Sequence, residues 1–151
     1  MYHTEMVVTW SHLDANRHMR NTAYSEFATH ARINFFRHSG QEIDQLARIG
    51  VGPILLKEEL IYLREVKMHE KLSIAIELSA VTENYSHYTI EHIFRKENGK
   101  KSARVVIHGA WIDLSTRKLC LPTIEMIDQV IQKMPQKKEF SIRSYRKYVF
   151  V

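Results

Sequence analysis

One cysteine, five glycines and three prolines serve a chain of 151 residues. The lone Cys120 excludes an internal disulfide and any multi-cysteine zinc site, a usage that suits a reducing compartment. With so little glycine and proline, and no repeat or low-complexity tract, nothing marks a linker. A single domain is expected over residues 1–151, with 135–151 a basic tail or an extra strand. No apolar run approaches the ~20 residues that cross a membrane, and MYHTEMVVTW does not read as a secretion signal. The expectation is a soluble, cytoplasmic protein. Negative charge is also scarce: 22 Lys and Arg against 17 Asp and Glu leave a net charge of +5. That balance points to acidic partners. No Gly-aromatic RNA-binding signature, zinc-finger spacing or long basic helix is there to hold nucleic acid, so the excess reads as a solvated surface or as a match for a phosphate-bearing ligand.

What the chain does have is clear periodicity. In TEMVVTW, Met6, Val8 and Trp10 alternate as in a first strand. Over NTAYSEFATHARINFFRHSG, Tyr24, Phe27, Ala28, Ala31 and Phe35 fall at helical spacing, with Asn21 or Thr22 as the cap and Gly40 as the stop. QEIDQLARIG reads as a short helix ending at Gly50. Beyond Pro53 the period changes to two. Ile54, Leu56, Leu60 and Tyr62 share a strand face interrupted by Glu58, and Leu72, Ile74, Ile76, Leu78 and Ala80 form the next row. SHYTIEHIFRK and SARVVIHGAWID are two further strands, joined through the tight-turn pair Asn98-Gly99. PTIEMIDQVIQKM opens a last helix at Pro122, with Ile124, Ile127, Val130 and Ile131 on one side. A strand, one long helix, four antiparallel strands and a terminal helix make an α+β domain, in which the early helix covers one sheet face.

The stretch with chemistry in it is WSHLDANRHMRNTAY. Asp14 is its single carboxylate, set among Arg17, Arg20, His12 and His18 just before a helix start. Its plainest role is an Asx-turn that orders the connection. His12, Asp14 and His18 suggest a metal, but a loop enforces no ligand geometry and none is expected. Cys120 has no evident basic partner and reads as packing. His87, His92 and His108 fall on strands, with His92 sharing a face with Tyr88, Ile90 and Phe94, and read as core or edge histidines.

VTWSHLDANRHMRNTAYSEFATHARINFF resembles the N-terminal segment of the 4-hydroxybenzoyl-CoA thioesterase-like family of hotdog-fold acyl-CoA thioesterases. That segment is a strand, a turn of the form D-x-D-x-x-x-H-x-x-N, and a helix that opens with a tyrosine and contains an Ala-Arg pair. Asp14, His18, Asn21, Tyr24, Ala31 and Arg32 match. The element order agrees over nearly the whole chain, and AWIDLSTRKLCLP resembles the family's last strand, turn and proline. In this chain His12 replaces the first acidic residue of the turn, Arg17 a frequent glycine and Arg20 a frequent asparagine. Thr29-His30 replaces an acidic pair before Ala-Arg.

The resemblance implies a hotdog fold, an antiparallel sheet wrapped around one long N-terminal helix. It implies hydrolysis of an acyl-CoA, or of an acyl-carrier-protein thioester, to a carboxylic acid and free thiol. Asp14 is then the catalytic carboxylate, as nucleophile or as general base on water. The amides near Asn21 and Thr22 polarise the carbonyl with the positive end of the helix. His18, Arg20, Asn21, Thr22 and Tyr24 are candidate substrate contacts, Asn21 equally a cap and Tyr24 equally packing. Glu26 and Glu58 are alternative carboxylates. No cofactor is implied beyond the coenzyme A of the substrate, and a homodimer or homotetramer with sites between subunits is expected. Two other classes stay open: a non-catalytic acyl-thioester binding protein, and a hydratase or dehydratase on the same scaffold using Asp14 and His18.

Overall fold

The structure is a computed structural model that describes residues 2–144. Strand β1 (His3–Val7) leads through a 3-10 turn (Trp10–His12) to α1 (Asn21–His38) and α2 (Ile43–Ile49). Strands β2 (Val51–Tyr62), β3 (Lys71–Thr82), β4 (His87–Lys96) and β5 (Lys101–Asp113) follow, then the short β6 (Leu119–Cys120). A single turn, α3 (Ile124–Met126), widens into a π-turn over Ile127–Ile131 before β7 (Gln136–Arg143). The seven strands form one sheet in the order β1-β3-β4-β5-β2, with β6 beside β5 and β7 beside β3. All pairings are antiparallel except β3 with β7.

The outer edge of β3 is shared: β1 takes its first half and β7 its second. At the other side β2 lies open, with Leu55, Leu56 and Tyr62 exposed along it. Helix α1 buries Ala23, Tyr24, Phe27, Ala28, Ala31, Phe35 and Phe36. The inward residues Leu72, Ile74, Ile76 and Leu78 of β3 join them in one core, as do Tyr88, Ile90 and Phe94 of β4 and Val105, Ile107 and Trp111 of β5. Small side chains at Ala28 and Ala31, both fully buried, allow the helix to approach the sheet closely.

Several expectations need correcting in detail. Strand β1 stops at Val7, and Trp10 stands 78% exposed in the 3-10 turn rather than continuing the apolar row. Two β-bulges, at Leu55/Lys57 and Leu78/Ala80, each insert one residue and shift the alternation that follows. On β2 the row opposite Gly109, Ile107, Val105 and Ala103 of β5 is therefore Leu55, Glu58, Leu60 and Tyr62, and Ile54 and Leu56 fall out of it. On β3 the core row passes from Leu78 to Val81 rather than Ala80. Arg20, not Asn21 or Thr22, holds the N-cap position of α1. Thr123, whose hydroxyl accepts from the Met126 amide, opens the last helix in place of Pro122. The π-turn rotates Met126, Val130 and Ile131 inward and leaves Ile124 78% exposed. Gly40 and Gly50 take left-handed φ values of 87° and 84° after their helices, which only glycine adopts freely. Of the basic end, Gln136–Arg143 forms β7, while YVFV lies outside the described residues.

Candidate active site

The segment between β1 and α1 is a compact turn held by backbone hydrogen bonds. Asp14 N–H donates to the His18 carbonyl at 2.8 Å and Arg17 N–H to the Asp14 carbonyl at 3.0 Å. The Asp14 carboxylate closes the same turn, with Oδ1 accepting from the amides of Asn16 at 2.9 Å and His18 at 3.2 Å. Arg17 takes a left-handed φ of 61° to complete it. Leu13 bridges Met19, whose amide donates to Val66 O at 2.7 Å, so the turn is docked on the β2–β3 connection. Asp14 is thus an Asx-turn residue and an exposed carboxylate together, because its Oδ2 takes no part in the turn.

Around it the candidate contacts divide. His18 directs its ring to Glu65, pairing through Nε2 with that carboxylate. Arg20 donates through Nε to Ser11 O at 3.2 Å, bonds the Thr22 hydroxyl, and lies 3.3 Å from Glu26 Oε1. Its guanidinium therefore folds across the first turn of α1 and engages Thr22 and Glu26 itself. Tyr24 is 3% exposed and packs edge-on to Tyr62 with ring centroids 5.3 Å apart, and against Phe94 at 5.5 Å. Burial pushes its phenol up to about 12. His12 accepts the Thr9 amide at Nδ1, 3.0 Å away, and sets its ring edge-on to Phe27. In place of an acid, this chain thus uses His12 as a capping residue. Among the described residues no three His, Cys, Asp or Glu side chains converge as a metal site.

The start of α1 carries no side-chain cap. Ala23 N–H bonds Arg20 O, but the amides of Asn21 and Thr22 have no acceptor among the described residues. Both belong to exposed residues. Two unpaired N–H groups at the positive end of an 18-residue helix form a ready site for a developing negative charge.

A second feature lies further along α1. Ser25, Thr29, Arg32 and Phe36 form one stripe toward β2. Ser25 donates to Glu58 Oε2 at 2.8 Å, Thr29 to Ser25 O at 2.9 Å, and Arg32 to Thr29 Oγ1 at 3.0 Å. Beside them opens a cavity of ≈ 200 Å³, walled by Ile33, Phe36, Ile54, Leu55, Ile90 and Ile107, with Thr29, Arg32 and Tyr88 as its polar residues. Beneath Arg32 sits the fully buried His92. Its Nδ1 lies 3.0 Å from Val105 O, which can only accept, so Nδ1 carries the proton and Nε2 is left to receive Arg32 at 3.3 Å. Burial and the Arg32 charge push His92 down to about 3, so the ring is neutral. Sequence alone shows Arg32 as a motif match and His92 as a face residue; their contact spans 60 positions, and no local spacing reports it.

The profile of the thioesterase-like superfamily matches residues 8–140. No curated protein sequence matches this chain. Among solved structures, a Staphylococcus aureus protein determined in complex with CoA aligns with a TM-score of 0.79 at 16% identity, over 95% of this chain and 87% of its own. YbaW, a probable thioesterase of Escherichia coli, aligns at 0.75 and 22% identity, over 89% and 98%. A 1,4-dihydroxy-2-naphthoyl-CoA thioesterase of Synechocystis aligns at 0.75 and 12% identity, over 87% and 96%. The sheet order and the superposition are those of a hotdog fold, and the chain belongs to the thioesterase-like superfamily.

Proposed function

We propose that the protein hydrolyses acyl-CoA thioesters to a carboxylic acid and free CoA, with α1 as the single long helix the sheet wraps. The observation that carries this reading is the uncapped start of α1, with two unpaired amides, beside the exposed Asp14 carboxylate. A thioester carbonyl lodged on the Asn21 and Thr22 amides would gain stabilisation as its oxygen becomes an oxyanion. Asp14 Oδ2 then attacks the carbonyl carbon, or takes a proton from a water that does. The thiolate departs and is protonated to free CoA; on the nucleophilic route a water then hydrolyses the mixed anhydride, releasing the acid and restoring the Asp14 carboxylate. The CoA held by the similar Staphylococcus aureus protein supports a CoA ligand, as does the net charge of +5 against a polyphosphate. An acyl-carrier-protein thioester presents the same group. The open, apolar β2 edge suits assembly as a homodimer or homotetramer. The absence of any helix long and apolar enough to cross a membrane among the described residues accords with a cytoplasmic enzyme.

Thiol release from a panel of acyl-CoAs, followed with a thiol reagent for wild type and Asp14→Ala, tests the reading. A loss of about 10²-fold or more in the variant is expected, and unchanged turnover removes Asp14 from the mechanism. Single turnover in heavy-oxygen water places label in Asp14 only if it is the nucleophile. One observation favours a second reading, a non-catalytic acyl-thioester binding protein: Asp14 Oδ1 and the Arg20 side chain are both engaged in ordering the loop. Binding of acyl-CoA with no thiol released from any member of the panel would establish it.

A further inference from the structure

The mid-helix cavity contains a cation that its surroundings leave unbalanced. Among the described residues no carboxylate lies within ion-pair distance of the Arg32 guanidinium. Its bonded partners are neutral: the Thr29 hydroxyl and Nε2 of His92. Glu58 acts on it from longer range, its own carboxylate already accepting from Ser25. Burial lowers the Arg32 pKa, the mark of a charge drawn out of water. Such a charge is costly until an anion with matching geometry meets it.

The geometry of the donors says what that anion is. A guanidinium presents five N–H groups in a planar fork that matches a carboxylate two bonds at a time. Thr29 and His92 take one each, and the others have no acceptor among the described residues. Tyr88 lines the same cavity. Its ring lies over Gly109, where a Cβ would overlap it, so the backbone is shaped to admit the tyrosine. The remaining walls are apolar, as methylene groups require. A cavity of ~150 Å³ holds a benzene ring in other proteins, so the ≈ 200 Å³ here admits the end of a chain. From Asn21 to Thr29 the helix rises about 12 Å, a span suited to a medium-length acyl group running from the amides to the cavity.

We propose that this cavity receives the distal end of the acyl group, and that Arg32, with Tyr88 beside it, selects acyl groups terminating in a carboxylate. The proposal rests on the thioesterase reading, which supplies the acyl group and its direction. Arg32 is then a specificity residue and takes no part in cleaving the bond.

The test compares octanedioyl-CoA with octanoyl-CoA as substrates, and free octanedioate with octanoate as binding probes that need no turnover. Wild type is expected to favour the dicarboxylic member of each pair by about tenfold or more. Arg32→Met brings both ratios close to one. Arg32→Lys, which keeps the charge but loses the fork, lowers them several-fold and serves if the methionine variant fails to fold. Equal use of the two esters by wild type overturns the proposal, as does a preference that either folded variant leaves intact. Should neither ester be cleaved, the thioesterase reading fails, and the free acids alone decide the cavity: equal binding of octanedioate and octanoate overturns it.

Discussion

The first turn of α1 and its middle handle charge in opposite ways. At the first turn and in the loop before it, polar side chains reach solvent and pair with one another: Arg20 with Glu26, and His18 with Glu65. What is left without a partner there is backbone, the amides of Asn21 and Thr22. Three turns on, the backbone is bonded within the helix and one side chain, Arg32, has no counter-charge at ion-pair distance among the described residues. Exposed ion pairs contribute little because water already solvates both partners. Unpaired backbone dipoles and half-buried cations retain their field. The two places where the pairing of α1 is incomplete are thus the two to which the proposals assign a ligand, a reacting carbonyl at the first and the distal end of the acyl group at the second.

The comparison breaks most directly at Asn21. Because Arg20 is extended, with ψ of 153°, proline at the next position fits the first helical residue and removes its N–H together with the Asn21 side chain, whose share Asn21→Ala reports separately. Asn21→Pro is expected to keep the fold and to lose about 10²–10³-fold in kcat if that amide polarises the carbonyl. Unaltered kcat with an intact circular dichroism spectrum would separate the helix start from the chemistry. The middle of the helix is challenged through Gly109→Ala, which drives the Tyr88 ring from its place. About 1–3 kcal/mol of stability should be lost in urea titration, together with any dependence of acyl preference on Tyr88.

His92 gives a pH test of the same region. Its native pKa of about 3 lies below the ordinary value of 6.5, so between those values the unfolded chain binds a proton that the native chain refuses. Stability therefore falls as pH drops through the ordinary histidine range, by up to about 1.4 kcal/mol per pH unit. His92→Gln should flatten that slope between about pH 7 and about pH 5. An identical slope in both proteins would mean that other groups set the acid sensitivity. The smallest effect is expected at the exposed pair: Arg20→Met should cost about 0.2–1 kcal/mol in stability, through Glu26 and Thr22. A larger loss would show that the Arg20 side chain organises the loop rather than decorating it.

How legible each region is in the sequence follows from how local its causes are. Gly40, Gly50 and the Asn98-Gly99 turn act within a few residues, and α1, α2 and the β4–β5 hairpin lie where those signals put them. The single-face rows expected on β2 and β3 break at Leu56 and Ser79, because a bulge adds length without changing composition. Strand β7 hides in QKKEFSIR, too polar to show an alternating face, because it pairs with the edge of β3 with little burial of its own. The loop is similar: Asp14 could be read as a turn residue or as an exposed carboxylate, and the structure shows it as both. The cavity was illegible because Arg32, Tyr88, His92 and Gly109 come from three elements whose register only the folded sheet defines.

The bulge at Leu56 has a further meaning when the chain is viewed as one of many possible lengths. Leu55, which walls the cavity, and Glu58, which faces Ser25, stand three residues apart yet share a side of β2 only because of that extra residue. Deleting it would turn one set or the other away from α1 while leaving every remaining amino acid unchanged. In this scaffold, then, a change in the number of residues is as effective a way to alter which side chains wall the cavity as any change in their kind. An insertion or deletion at this one point of the edge strand can redraw the cavity wall while the turn that carries Asp14, on a separate segment, stays as it is.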